Sequence, residues 1–179
     1  YITGGVSSNF RLYEPAEVPL FFEKAFGSYM WDVDGNIYID YVMGLGPNLF
    51  GHRPNFIKEA VEKGMSKGFV YSAQHELEIS VAEQALKFIP MQDSTVRFAS
   101  SGTEIVQLAI RLIRSYTGKQ KFIKFEGHYH GWADNVSFSV NPELQLSGSN
   151  TAPLPVPESS GMDLNLSENI LICQWNDFE

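Results

Sequence analysis

Two short stretches carry the residue types best suited to chemistry: Ser-Ser-Gly-Thr-Glu at 100–104 and Glu-Gly-His-Tyr-His-Gly at 126–131. The first places hydroxyls and a glycine where a helix is predicted to open. The N–H groups of a first helical turn lack intrahelical acceptors and the helix dipole is positive there, so Ser101, Gly102 and Thr103 could hold an anion. Phosphate is the obvious candidate. The second stretch sets aromatic rings between two glycines, Gly127 and Gly131, that let the backbone turn sharply and expose the side chains. A flat ring such as Tyr129 next to a phosphate site suits a flat, phosphorylated cofactor.

Each stretch also admits a plainer reading. Ser101 and Glu104 fit the capping-box pattern, and a well-capped helix needs no ligand. His128 and His130 could be imagined as a metal pair, but no cysteine and no third ligand stand nearby in the sequence.

The elements that must position these residues follow from local patterning. Residues 95–99 are short, partly β-branched and bounded by polar residues, which predicts a buried strand. A helix is predicted from Gly102 to the stop signal at Gly118. Its apolar residues, Ile105 to Ile113, occupy more than one stripe, as in a core helix packed between a sheet and another layer. Residues 122–125 form the next predicted strand, flanked by Lys121 and Lys124 as solvated charges. If that strand runs parallel to 95–99, both chemical stretches meet at one carboxyl edge, where open α/β sheets bind ligands.

The rest of the chain bounds the possibilities. Its 179 residues can bury a core of ordinary size, and its composition is that of a soluble globular protein. A formal charge of −8 and the lack of any basic run argue against a nucleic-acid or anionic-membrane surface. Cys173 is the single cysteine, which excludes an intrachain disulfide and suggests a reducing compartment. No apolar run is long enough to span a bilayer.

Residues 1–19 are irregular, punctuated by Gly4, Gly5 and Pro15. Residues 20–25 and 29–31 predict strands, with Asp34-Gly35 turning the chain into a third at 37–40. Residues 32–36 superficially match a calcium loop, but the glycine comes too early and no acidic residue closes the loop. His52 has no carboxylate or second histidine in its local sequence and is read as structural. Helices are predicted at 54–68, with Pro54 in the first turn, and at 75–89, stopped by Pro90. A short helix is expected at 132–136. Proline, serine and glycine accumulate over 141–169, a connection long enough to be a lid or disordered. A buried strand follows at 170–174, and Asn176-Asp177 could cap a further helix.

Three motifs together resemble a known family: Phe-Ala-Ser-Ser-Gly-Thr-Glu at 98–104, Arg-Leu-Ile-Arg-Ser-Tyr-Thr-Gly at 111–118 and Phe-Glu-Gly-His-Tyr-His-Gly at 125–131. They are similar to the class III pyridoxal-phosphate aminotransferases, above all the glutamate-1-semialdehyde aminomutase branch. The likeness extends from Gly-Gly-Val-Ser-Ser at 4–8, through residues 31–41 and 46–52, to Trp-Asn-Asp-Phe-Glu at 175–179.

This resemblance implies an α/β chain, the amino-terminal part of a fold-type I PLP-dependent transferase whose large domain is a three-layer α/β/α structure, with an amino-terminal β-meander. Residues 1–53 would belong to the small domain and 54–179 would begin the PLP-binding large domain, with a flap at 141–169. The cofactor would be pyridoxal 5'-phosphate, with Ser101, Gly102 and Thr103 on its phosphate, Tyr129 stacked on the pyridine and His130 supporting the loop. Ser8 and Leu45 would face the substrate, an amine or amino acid; the branch usually carries a tryptophan where Leu45 stands. In the family the Schiff-base lysine and the carboxylate that pairs with the pyridine nitrogen lie beyond the position of Glu179, so no catalytic residue is assigned here. The implied activity is that of an aminotransferase or aminomutase, cytoplasmic and homodimeric when complete. A decarboxylase or epimerase of the same fold, or a non-catalytic scaffold module, is the alternative.

Overall fold

The computed structural model describes residues 1–12 and 19–177; Pro15, Phe178 and Glu179, named above, lie outside the described residues. The chain divides into two compact units, Tyr1–Glu78 and Ile79–Glu179.

The first unit contains the expected meander. Strands β1 (Phe22–Phe26), β2 (Tyr29–Asp32) and β3 (Ile37–Ile39) pair antiparallel in that order, with Trp31 opposite Ile37 across the Asp34-Gly35 turn. The carboxylate of Asp32 closes the turn. It accepts from the N–H groups of Asp34 at 3.0 Å and Asn36 at 2.8 Å, from Asn36 Nδ2 at 2.8 Å and from the Tyr38 hydroxyl at 3.0 Å. The calcium-like stretch is therefore a side-chain-capped hairpin, in which a buried acid is satisfied by local donors.

Downstream, His52 pairs through its backbone with Gly27, and its Nε2 lies 2.8 Å from Asp40 Oδ2. The carboxylate missing from the local sequence arrives from twelve residues away. Helix α1 (Asn55–Met65) follows. Pro54 is its N-cap rather than a first-turn residue, and its carbonyl accepts from Ile57 and Lys58 at 3.1 Å. Helix α2 (Glu76–Leu86) is shorter than the 75–89 expected. His75 starts it, accepting from Leu77 N–H through Nδ1 while its own N–H donates to Glu78.

In the second unit, α3 (Gly102–Thr117) starts and stops where the sequence indicated, with Gly118 left-handed at φ 69. Then come β4 (Phe122–Phe125), a small hairpin of β5 (Gly148–Ser149) and β6 (Ala152–Pro153), and β7 (Ile170–Cys173). Strand β4 pairs parallel with β7, from Phe122 opposite Ile170 to Phe125 opposite Cys173. A parallel pair needs a long crossover. Here the crossover supplies the core itself: Phe138 and Met162 pack with Ile170 and Ile172, and Phe122 and Leu166 close around them.

Several expectations fail here, for non-local reasons. Residues 95–99 form no ladder: a strand exists only with a partner, and no hydrogen-bonded neighbour pairs with them among the described residues. Helix α3 is not a core element. Leu112 and Ile113 are 67% and 57% exposed, and no described strand or helix packs along it. Residues 132–136 make turns instead of a helix, closed by Val136 and Ser137 N–H groups on the Ala133 carbonyl. Of the two expectations for 141–169, disorder is replaced by the β5–β6 hairpin, a bridge from Phe138 to Pro157 and a 3-10 helix at Leu164–Asn169, while a lid can carry such structure. Lys124 is not solvated but 2% exposed, because strand alternation puts it on the face that Phe122 buries. No helix follows Asn176-Asp177 among the described residues.

Candidate functional site

Helix α3 opens as a capping box. Ser101 is extended at φ −149, ψ 160, and its Oγ accepts from Glu104 N–H at 3.3 Å. Glu104 Oε2 reaches back to Ser100 N–H at 2.9 Å. These bonds use the helix's own polar groups but leave the N–H groups of Gly102 and Thr103 without partners among the described residues. A Cβ placed on Gly102 would meet no atom within 4 Å, so open space lies beside those donors.

The aromatic loop leaves β4 on three backbone bonds. Glu126 N–H donates to the Cys173 carbonyl at 2.9 Å, Gly127 N–H to Ser139 at 2.9 Å, and His128 N–H back to Phe125 at 3.3 Å. The His128 ring is used in packing, with centroids 5.6 Å from Phe125 and 5.0 Å from Trp175. Tyr129, by contrast, is 64% exposed and has no ring partner among the described residues. The loop then comes down on the start of α3. A Cβ built on Gly131, where φ is 104, would stand 2.6 Å from Thr103 Oγ1 and 2.9 Å from Thr103 Cα. Asn135 adds a second tie, donating to Gln107 Oε1 at 2.7 Å.

The structure thus brings Ser101, Gly102 and Thr103 together with the loop of Tyr129 and His130. It does so without the expected strand at 95–99. Ser8 and Leu45 lie in the first unit, both exposed, with the Ser8 carbonyl accepting from Arg11 N–H at 2.9 Å and Leu45 held left-handed at φ 65. Among the described residues no group of three His, Cys, Asp or Glu side chains could hold a metal ion.

Electrostatics around the loop centre on two groups. Burial pushes the His130 imidazole below its ordinary range, and the Lys124 ammonium and then His128 add to the effect. Burial also lowers Lys124, against the opposing attraction of Glu158 and Glu126. Glu126 Oε1 accepts from Gln174 at 2.9 Å, while Glu126 Oε2 and Gln107 Nε2 are buried with no hydrogen-bond partner among the described residues.

The sequence reading missed Lys124, Glu126, Gln107 and Asn135. The one available signal was strand alternation, which puts Lys124 on the face of Phe122, but four residues with apolar groups at 122, 123 and 125 do not reveal which face is buried.

The geometry suits a flat anionic cofactor. Free N–H donors face open space at the helix start, an exposed aromatic ring stands on a loop seated against it, and no side chain fills the opening at Gly102.

Comparison with known proteins gives the family. The family described as Aminotransferase class-III matches residues 12–169. The chain is 41% identical over 179 residues to a glutamate-1-semialdehyde 2,1-aminomutase from Heliobacterium modesticaldum, covering 99% of this chain and 39% of that protein. An omega-transaminase from Sphaerobacter thermophilus superposes with a TM-score of 0.86 at 29% identity, over 96% of this chain and 38% of that one. A transaminase with PLP bound superposes at 0.81 and 27% identity, again over 96% and 38%. The α/β fold is that expected of part of a fold-type I transferase, and the chain spans 39% of the length of the curated relative it matches.

Proposed function

From the premise that this chain belongs to the class III aminotransferase family, we propose that it supplies the phosphate- and ring-binding part of a pyridoxal 5'-phosphate-dependent aminotransferase or aminomutase. The observation that supports this reading is the seating of Gly131 on Thr103, which brings the loop carrying Tyr129 against the start of α3.

In this reading the N–H groups of Gly102 and Thr103, with the hydroxyls of Thr103 and Ser101, hold the phosphate. Tyr129 lies against the ring, a stacking contact worth about 1 kcal/mol. His130, whose imidazole titrates below its ordinary range, stays uncharged at neutral pH and supports the loop from behind. The bound cofactor would act as an electron sink for negative charge developing on the carbon that bears the amine. Orienting that cofactor is this chain's share of the chemistry. The lysine and the pyridine-facing carboxylate would come from further polypeptide.

The same reading assigns residues 1–53 to a small domain and 54–179 to the large one. Residues 141–169 become a flap whose tip is the β5–β6 hairpin. Ser8 and Leu45 would meet an amine or amino acid substrate in a cytoplasmic homodimer.

Gly102 offers a clean test. It is the first helical residue, where proline is tolerated, and the extended Ser101 before it suits a following proline. Gly102→Pro therefore replaces one phosphate donor with the ring Cδ while leaving the helix start able to form. Titration of pyridoxal phosphate, followed by the cofactor's absorbance, should show saturable binding, weakened about tenfold by Gly102→Pro and about fivefold by Tyr129→Ala. No saturable binding, or binding indifferent to both changes, would overturn the assignment.

A further inference from the structure

We propose that Lys124 is a positioning residue for the cofactor loop: its buried ammonium ties together the carbonyl oxygens of Phe125 and Ser139, two of the three acceptors from which the root of the Tyr129 loop hangs. This rests on the cofactor reading above for its functional consequence, though the clamp itself does not.

Lys124 Nζ donates to the Phe125 carbonyl at 3.2 Å and to the Ser139 carbonyl at 3.4 Å. The same two oxygens accept from the loop: Phe125 from His128 N–H at 3.3 Å, Ser139 from Gly127 N–H at 2.9 Å. A carbonyl oxygen has two lone pairs, so each can serve both donors, and the ammonium polarises both acceptors at once. One side chain therefore links the root of the loop at β4 to the crossover.

The Ser139 end is firmly held. Ser139 is fully buried, its N–H donates to Val156 at 2.6 Å, and its hydroxyl donates to Leu154 and accepts from Val156 N–H, both at 2.9 Å. Glu158 Oε1 accepts from the next two N–H groups, Val140 at 2.7 Å and Asn141 at 3.0 Å, and its charge favours the ammonium.

Burying an ammonium is costly unless its donors are satisfied. A methionine would fill similar space without that desolvation cost. What a methionine cannot do is join the two carbonyls. The charged groups acting on Lys124 are Glu158 and Glu126, and Lys124 in turn acts on His130, which also faces His128. The ammonium is thus coupled to the loop through its backbone anchors and through the histidine beside Tyr129.

The test uses Lys124→Met and Lys124→Arg in the whole protein, first without cofactor. With the far-UV spectrum unchanged, Lys124→Met should lower the exchange protection of the Gly127 and His128 amides about tenfold, while Lys124→Arg keeps it. In titrations, pyridoxal phosphate should bind about tenfold more weakly to the Met variant and within twofold of wild type to the Arg variant. Protection and affinity both within twofold of wild type in Lys124→Met would overturn the proposal. So would a folded Arg variant that loses both. If neither variant folds, the wild type decides: a slowly exchanging Lys124 ammonium resonance supports the clamp, and one exchanging as fast as the exposed Lys121 overturns it. Should the wild type bind no pyridoxal phosphate, the cofactor reading fails while the cofactor-free measurements still judge the clamp.

Discussion

Gly131 lies against Thr103 so closely that a methyl group has no room: a Cβ there would stand 2.6 Å from Thr103 Oγ1, 2.9 Å from its Cα and 3.0 Å from its Cβ. This contact seats the aromatic loop on the helix start, and it makes the two loop glycines unequal. Gly131→Ala adds a clash with backbone to the strain of φ 104, whereas Gly127→Ala, at φ 76 with nothing within 4 Å, adds strain alone. The expected costs are about 2–4 kcal/mol for Gly131 and about 1 kcal/mol for Gly127. Urea unfolding of the two variants measures the difference, and equal costs would mean the loop is not seated on Thr103.

Ser101→Ala removes the acceptor for Glu104 N–H and should destabilise the start of α3 by about 1 kcal/mol. Ser101→Asp keeps an acceptor and should retain the helix. It also puts a negative charge where the phosphate is proposed to bind. Denaturant midpoints and pyridoxal phosphate titrations of both variants separate capping from binding: Asp should preserve the first and damage the second.

The acid limb of stability traces partly to Asp40. Hydrogen bonds hold its carboxyl below the ordinary value of 3.8, the Met43 N–H first and His52 and the Val42 N–H after it. A carboxyl lowered in the folded state stabilises fully above its unfolded value, and that stabilisation is lost as pH falls through the folded one. Asp32 is lowered too, chiefly by Asn36. Melting temperatures between about pH 2 and pH 6 should therefore fall less steeply in Asp40→Asn than in wild type, and less again in the Asp32→Asn, Asp40→Asn double variant.

His130 should titrate below 6.5, because burial and the Lys124 ammonium both disfavour its charged form. As pH falls below 6.5 the unfolded chain takes up this proton first, so stability declines from there until the folded imidazole titrates. Ring-proton chemical shifts followed against pH measure the value directly. Lys124→Met should move it upward. A His130 that titrates at or above 6.5 in wild type would show that burial and the Lys124 charge do not govern the ring.

What could be read from the residues in order was whatever is closed within a few positions. The Ser101–Glu104 box, the left-handed stop at Gly118 and the Asp32-closed turn at Asp34-Gly35 all depend on bonds spanning six residues or fewer, so residue identity alone specifies them. The motifs at 98–104 and 125–131 likewise sufficed to suggest the family. Pairing and burial were another matter. Residues 95–99 have strand composition but no ladder, and Lys124 looks solvated yet is interior. His52 finds Asp40 across twelve positions, and Gly131 finds Thr103 across a helix and a strand. Each of these depends on which distant segment folding carries into contact, a matter of chain closure and packing that no local pattern encodes. The chemical groups were visible from the beginning, and their meeting at the mouth of α3 was settled in three dimensions.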